Sequence, residues 1–255
     1  TTVNVNAPAV LYDAEGKVTS LFSGSPLSGA VVSFGSYSDE TDAEGNYDLD
    51  LPPGTYDLNV EQGQHWTRTI EDVVVDDDLT KNVNLASKDM DMDMFNASGR
   101  KNGNNIRWAG PPHTLYIKEH FISGNQRAVT DAEKDMIINI VTGKLPKLTN
   151  GFFRGDINVV IGDEPPYGEH GYIIAEGDGS IPQSAANGVS GNPVITNAGV
   201  VFKGGNSYGD LLQEFSQITG FRNDSDKKPS VFNQGSQRTS YTSQDLMMGT
   251  FKYSR

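Results

Sequence analysis

The chain has 255 residues, 33 acidic and 20 basic side chains, a formal net charge of −13 and no cysteine. A field of that sign argues against nucleic acid and anionic membrane as main partners, and the absent thiols exclude disulfide scaffolds, thiol nucleophiles and thiolate metal sites. No run approaches the roughly eighteen apolar residues of a membrane span, and 28 glycines and 12 prolines at 36% hydrophobic content predict a globular protein rich in strands and loops.

Residues 1–10 alternate small polar and apolar side chains, which places Val3, Val5 and Ala7 on one side of a strand-like segment. Two destinations are open to it. It pairs with its own sheet, or it adds to the open edge of a neighbouring copy. Pro8 limits the length of either ladder.

Residues 11–86 read as a β-sandwich. Ala30–Phe34, Tyr47–Leu51, Thr55–Val60 and Asn82–Leu85 are short apolar or alternating runs, separated by the turn residues Asp42–Asn46 and Pro52-Pro53-Gly54. Gly45 suits a turn position with positive φ, Pro53-Gly54 sets the next hairpin, and Tyr47 and Tyr56 add bulk to one face. Residues 1–86 hold fifteen acids and three bases, a net of −12, and the remainder nets only −1. This step in charge predicts two units of different character. Asp76–Asp78 and the Asp39–Glu44 loop could offer oxygens to calcium, but neither has the spacing of a calcium loop, and a solvated acidic turn is the simpler reading.

Three segments of this unit occur in a recognisable order: Pro26–Val32, Thr41–Tyr47 and Leu51–Tyr56. Together they resemble the carboxypeptidase regulatory-like domain, a transthyretin-like seven-stranded sandwich. The resemblance covers about residues 9–86. It implies a non-catalytic module of a secreted or surface protein.

Residues 87–105 read as a linker, with an Asp-Met repeat from Lys88 to Met94 and an Asn/Gly-rich stretch to Asn105. The repeat also fits a strand with one apolar face. Asn96-Ala97-Ser98 and Asn223-Asp224-Ser225 match the glycosylation triplet, which makes Asn96 and Asn223 candidate acceptors.

Residues 106–255 mix strands and helices, with about three helices and a mixed sheet expected. Thr114–Ile117 and Ile157–Ile161 read as strands. Thr130-Asp131-Ala132-Glu133 is a capping box that opens a helix with Met136, Ile137, Ile140 and Val141 on one face, and Gly143 sits where a C-terminal cap belongs. Ser207–Asp210 opens a second helix with Leu211, Leu212, Phe215 and Ile218 as its apolar stripe and Gly220 at its end. The four histidines, His65, His113, His120 and His170, show no i,i+4 pair. His170 lies in a glycine-rich loop and could mark a site on its rim; an ordinary surface histidine is the simpler reading.

The segment Gln213–Asn223 has the spacing of the metzincin zinc-peptidase signature, and this half of the chain resembles a degenerate member of that family, a metzincin-like α/β (α+β) domain. In the family, histidines at the first, fifth and eleventh places bind zinc and a glutamate at the second activates water. Here Gln213, Gln217 and Asn223 stand at the ligand places, while Glu214 and Gly220 match the pattern. Phe232 stands where the Met-turn has methionine, Tyr241–Asp245 resembles the start of the closing helix, and Ile106–Trp108 with Leu115–Ile117 resembles the opening strand. Amide oxygens are poor ligands for zinc. The resemblance therefore implies a pseudopeptidase with no metal, no cofactor and no catalytic residue; the alternative is a solvated polar helix face with no such ancestry.

The resulting expectation is a non-catalytic extracellular or cell-surface protein that binds or assembles. Its most specific form is a self-associating subunit of a fibre or surface layer, whose partners are other copies of itself. Two rivals stand beside it. One is an active zinc endopeptidase with atypical ligands; the other is a module that binds glycan or peptide in the disused cleft.

Overall fold

A computed structural model of the protein describes residues 10–101, 104–124, 126–162, 164–165, 168–180, 185–191, 194–222, 230–232 and 237–254. The proposed assembly positions Val3, Val5 and Ala7 and the ligand position Asn223 lie outside the described residues. The chain divides into two compact units, residues 1–90 and 91–255.

The first unit is a two-sheet β-sandwich. One sheet has the order β4 (Asn46–Leu51), β1 (Tyr12–Ser20), β7 (Leu79–Thr80), and β8 (Val83–Leu85) also pairs with β1. The other has the order β3 (Tyr37–Glu40), β2 (Val31–Phe34), β5 (Gly54–Glu61), β6 (Arg68–Val75). The alternation of β4 is complete: Tyr47, Leu49 and Leu51 point into the core and Asn46, Asp48 and Asp50 to water. With Val32, Phe34, Leu58, Val60, Val73 and Val75 from the facing sheet they form one apolar core. Thr41 pins the corner after β3. Its hydroxyl oxygen accepts from Ala30 N at 2.8 Å and donates to Leu27 O at 2.6 Å.

Gly45 has φ +82°, and a Cβ there would lie 2.6 Å from Val18 O, so both conformation and space demand glycine. Pro52-Pro53-Gly54 does not set a hairpin. It carries the chain from β4 in one sheet to β5 in the other, so Tyr47 and Tyr56 stand in different sheets. The prolines supply no N–H to a ladder, which is why the chain leaves its sheet at Leu51.

The residues read as a linker are partly structured. Instead of a strand, the Asp-Met repeat enters α1 (Met92–Gly99) in the second unit, where Met94 and Phe95 are buried and Asp91 caps the Met94 N–H at 2.9 Å. An i to i+4 contact, Ser98 Oγ donating to Met94 O, belongs to the helix. A short ladder of β9 (Arg100–Lys101) and β10 (Asn104–Asn105) follows.

The rest of the second unit is a six-stranded mixed sheet with helices. Five strands run parallel in the order β11 (Arg107–Trp108), β16 (Val194–Phe202), β14 (Tyr172–Gly177), β12 (Thr114–Ile117), β13 (Asn158–Ile161), and β15 (Ala185–Gly191) pairs antiparallel with β16. All four residues of β12 are buried, as a central parallel strand requires. The two segments read as one opening strand are separate: β11 sits beside β16, and β12 lies between β13 and β14.

The Thr130 capping box is present, with Thr130 Oγ1 accepting from Glu133 N and the Glu133 carboxylate accepting from Thr130 N at 2.9 Å. Helix α2 (Asp131–Asn139) does not end at Gly143. It continues through a π-helical turn, Ile140–Lys144, into α3 (Leu145–Leu148). Leu145 and Leu148 are fully buried, and the apolar face carries the helix past the glycine. The left-handed residues come later, at Asn150 and Gly151. Helices α4 (Tyr208–Gln217) and α5 (Ser243–Tyr253) both start with capping boxes, Ser207 with Asp210 and Thr242 with Asp245.

Candidate functional site

Helix α4 carries the candidate residues. Its stripe of Leu211, Leu212, Phe215 and Ile218 is buried to 1% exposure or less, which fixes the rotation of the helix. Gln213 is then buried, and Glu214 and Gln217 are half-buried. Gln213 and Gln217 lie four apart and share a face. Burial, with a smaller contribution from the like charge of Asp210 one turn earlier, pushes the Glu214 carboxyl up to about 7. Asp210 itself is held below the usual carboxylate range: burial opposes its charge, but hydrogen bonds from Gln237, Ser207 and Asn206 outweigh it.

The helix ends in a dense set of contacts. Gly220 has φ +86°, and a Cβ there would lie 2.2 Å from Ile106 O. Three donors cover the freed carbonyls. Trp108 Nε1 donates to Ile218 O at 2.7 Å, the Tyr253 hydroxyl to Thr219 O at 2.6 Å, and the fully buried Lys252 Nζ to Gly220 O at 3.1 Å. Lys252 also donates to Gly99 O at 2.5 Å and lies 4.6 Å from the centre of the Phe221 ring.

The segment compared with the Met-turn is held from α5. The fully buried Asp245 accepts from Ser230 Oγ at 2.5 Å, Val231 N at 3.2 Å and Thr242 N at 2.8 Å. Phe232 is fully buried and stacks on Phe221, with ring centres 4.4 Å apart. Tyr241, just ahead of α5, meets Ser216 of α4 at 2.9 Å between hydroxyl oxygens, and burial raises its pKa.

Other candidates fall elsewhere. Asn96 is exposed on α1. His113 and His120 do not share a strand, since β12 ends at Ile117. His113 instead meets the loop of His170: its Nε2 donates to His170 O at 2.9 Å, and Asn197 Nδ2 donates to His170 Nδ1 at 3.3 Å. Asp42 accepts from Glu44 N, Asn46 N and Asn46 Nδ2, which makes the acidic loop a turn closed on its own backbone, and these bonds lower the Asp42 pKa. Among the described residues no three His, Asp or Glu side chains are grouped to hold a metal ion.

Comparison with known proteins assigns the first unit. Residues 14–88 match the carboxypeptidase regulatory-like domain family. The order Pro26–Val32, Thr41–Tyr47, Leu51–Tyr56 lies within that match, and the sandwich is the fold on which these motifs sit. No curated protein matches the chain. Among solved structures, a C-terminal interface mutant of a type II cohesin–X-dockerin complex from Acetivibrio cellulolyticus is 19% identical, covering 37% of this chain and 81% of that one at a TM-score of 0.29. A protein of unknown function from Bacteroides fragilis NCTC 9343 is 16% identical, covering 55% of this chain and 44% of that one at a TM-score of 0.26. At such scores these likenesses assign no function to this chain. No helix among the described residues is long and apolar enough to cross a membrane.

Proposed function

We propose that this is a non-catalytic protein of the cell surface or extracellular space that assembles with copies of itself, built from a regulatory-like sandwich and a metzincin-like domain that has lost its metal. The order of elements in the second unit supports the second half of that reading: strand β12, helices α2 and α3, strands β13 to β16, the glutamate-bearing helix α4, the pinned turn and the closing helix α5 follow along the chain. Amides at 213 and 217 offer zinc only weak neutral oxygens. Glu214, its charge disfavoured by burial, has no acidified water to deprotonate.

The observation that carries the assembly reading is the register of β1. Tyr12 pairs with Leu51, so residues upstream of Tyr12 would face Pro52 and Pro53. Neither proline has an N–H, and Pro52 O already accepts from the Tyr56 hydroxyl at 2.8 Å. On the other side β1 runs beside β7 from Ala14, and upstream of β7 lies the turn Asp76–Asp78. Val10 and Leu11 are 58% and 50% exposed. Val10 and Leu11 thus meet poor ladder partners on either side in this sheet, which supports pairing of the alternating N-terminal segment with an edge supplied by another copy. Sedimentation and negative-stain microscopy over a wide concentration range test this. Assembly that is lost when residues 1–9 are deleted supports it; monomers throughout, or assembly indifferent to the deletion, overturn it.

A further inference from the structure

We propose that the open edge of β13 is the acceptor for residues 1–7 of a second copy, which lie along it as an added strand. This contact rests on the assembly reading above and supplies the edge which that reading needs.

Among the described residues, the longer edges elsewhere are each blunted. On β4 the outward N–H groups of Asn46 and Asp48 donate to the carboxylates of Asp42 and Asp39, at 2.7 and 2.9 Å. On β8 the outward Asn84 O accepts from Arg68 Nη1 at 3.1 Å, and just beyond it Ala86 O accepts from Trp66 N at 2.8 Å. In β3, Asp39 and Glu40 are acidic. In β6, Glu71 and Asp72 are acidic, and Asp72, at φ +56°, lies where the register with β5 slips. In β15 the register shifts between Val189 and Ser190, and Gly188 and Gly191 weaken the strand. Charges, bulges and glycines are the means by which sheet edges resist further pairing. β7, β9, β10 and β11 are only two residues long.

β13 has none of these devices. Asn158–Ile161 contains no charge, proline or glycine, and its register with β12 is unbroken from Asn158 opposite Thr114 to Ile161 opposite Ile117. Asn158 N donates to His113 O and Gly162 N to Ile117 O, both at 2.9 Å. Backbone groups alternate in direction along a strand, so Val160 also turns to β12, while Val159 and Ile161 turn their N–H and C=O outward. Val159 is half-buried and Ile161 is 47% exposed. Their side chains share one face of the sheet, and Asn158 and Val160 share the other.

The N-terminal segment fits this edge. Thr1-Thr2-Val3-Asn4-Val5-Asn6-Ala7 precedes Pro8 and carries no charge in a chain of net −13. No carboxylate is therefore desolvated or set against another when the two neutral strands meet. With Val3, Val5 and Ala7 on the face of Val159 and Ile161, the apolar row is extended, and Asn4 and Asn6 fall on the face of Asn158. Seven residues cover the four of β13, and Pro8, without an N–H, ends the ladder. Every copy has one such segment and one such edge, so the contact is head-to-tail and can repeat.

Sedimentation velocity on full-length variants tests the contact. Val159→Pro removes an outward N–H and leaves the bonds to β12 in place. Ile161→Lys sets a charge on the edge at an exposed position. Asn4→Pro/Val5→Pro removes donors from both sides of the segment. Each variant alone should need about tenfold or more higher concentration than the wild type to assemble, with an unchanged far-ultraviolet circular dichroism spectrum. An equimolar mixture of Val159→Pro with Asn4→Pro/Val5→Pro should form a 1:1 complex that grows no further, because one copy keeps the segment and the other keeps the edge. Wild-type assembly in both edge variants, with loss in Asn4→Pro/Val5→Pro, overturns the choice of β13 and leaves the assembly reading standing. A mixture that stays monomeric also overturns it. Undiminished assembly of Asn4→Pro/Val5→Pro, or a monomeric wild type, overturns both.

Discussion

Glu214→Gln should stabilise the protein at alkaline pH and leave it unchanged in acid. The folded-state pKa is about 7 against an ordinary 4.5, raised by burial and then by Asp210. A carboxyl raised in this way favours folding fully below the unfolded pKa, and the benefit is lost as pH climbs through the folded one. A shift of this size corresponds to about 3 kcal/mol between pH 4 and pH 8. Glu214 is only half-buried, and solvent screening reduces the effect to about 1–2 kcal/mol. Glutamine keeps the shape and removes the charge. Urea unfolding of both proteins from pH 4 to pH 9 should give curves that coincide at the acid end and separate between about pH 5 and pH 8, with the variant higher. A variant that is less stable at pH 8, or a gap that does not change with pH, would refute the argument. The first result would mean that something in the folded protein rewards the Glu214 charge, as a bound cation would; the second, that its pKa is the same in the folded and unfolded protein.

Three further substitutions probe the frame around α4, with Gly151→Ala as the control for Gly220→Ala. Gly220→Ala combines the cost of a left-handed residue, about 1–2 kcal/mol, with a Cβ 2.2 Å from Ile106 O, and should lose about 3 kcal/mol or more. Gly151→Ala, also left-handed at φ +81° but with open space around its Cβ, should lose only the first part; equal losses in urea unfolding would show that the close approach is absent. Asp245→Ala removes the reciprocal half of the α5 capping box, the acceptor for Thr242 N, and the acceptor for Ser230 Oγ and Val231 N. It should cost about 2–4 kcal/mol, read as a lowered urea midpoint, and a change below about 0.5 kcal/mol, an ordinary surface effect, would contradict the assigned contacts.

What the sequence disclosed was set by how local each signal is. The capping boxes at Thr130 and Ser207 need only four residues each, and both are present. The apolar stripe of α4 and the buried run Thr114–Ile117 follow from periodicity alone. Sheet membership does not. Whether Pro52-Pro53-Gly54 joins neighbours in one sheet or crosses between two depends on which strand finds β1, and β1 itself, with Asp13, Glu15 and Lys17 among its residues, has no apolar pattern to announce it. Gly143 misled for a related reason. A glycine can end a helix, but Leu145 and Leu148 gain more by packing than the chain loses by continuing. The Asp-Met repeat matched a period of two over seven residues, whereas the burial of Met94 and Phe95 decides for a helix.

The candidate site divided along the same line. Spacing placed Gln213 and Gln217 on one helical face, and they stand there. The environment of Glu214 was not legible, because its pKa depends on burial and on Asp210 in the folded helix. The pinning of Ser230 and Val231 by Asp245 joins residues fourteen and fifteen apart, and the Lys252 contact with Gly99 O joins residues 153 apart; no local pattern encodes either.

The metal content of the protein tests the central claim most directly. Purified protein incubated with zinc and dialysed exhaustively should hold well under about one-tenth of an equivalent by elemental analysis, because neutral amides cannot retain the ion at trace concentration. One equivalent surviving dialysis, lost in Gln213→Ala and in Gln217→Ala, would contradict the account and restore a hydrolytic centre to α4.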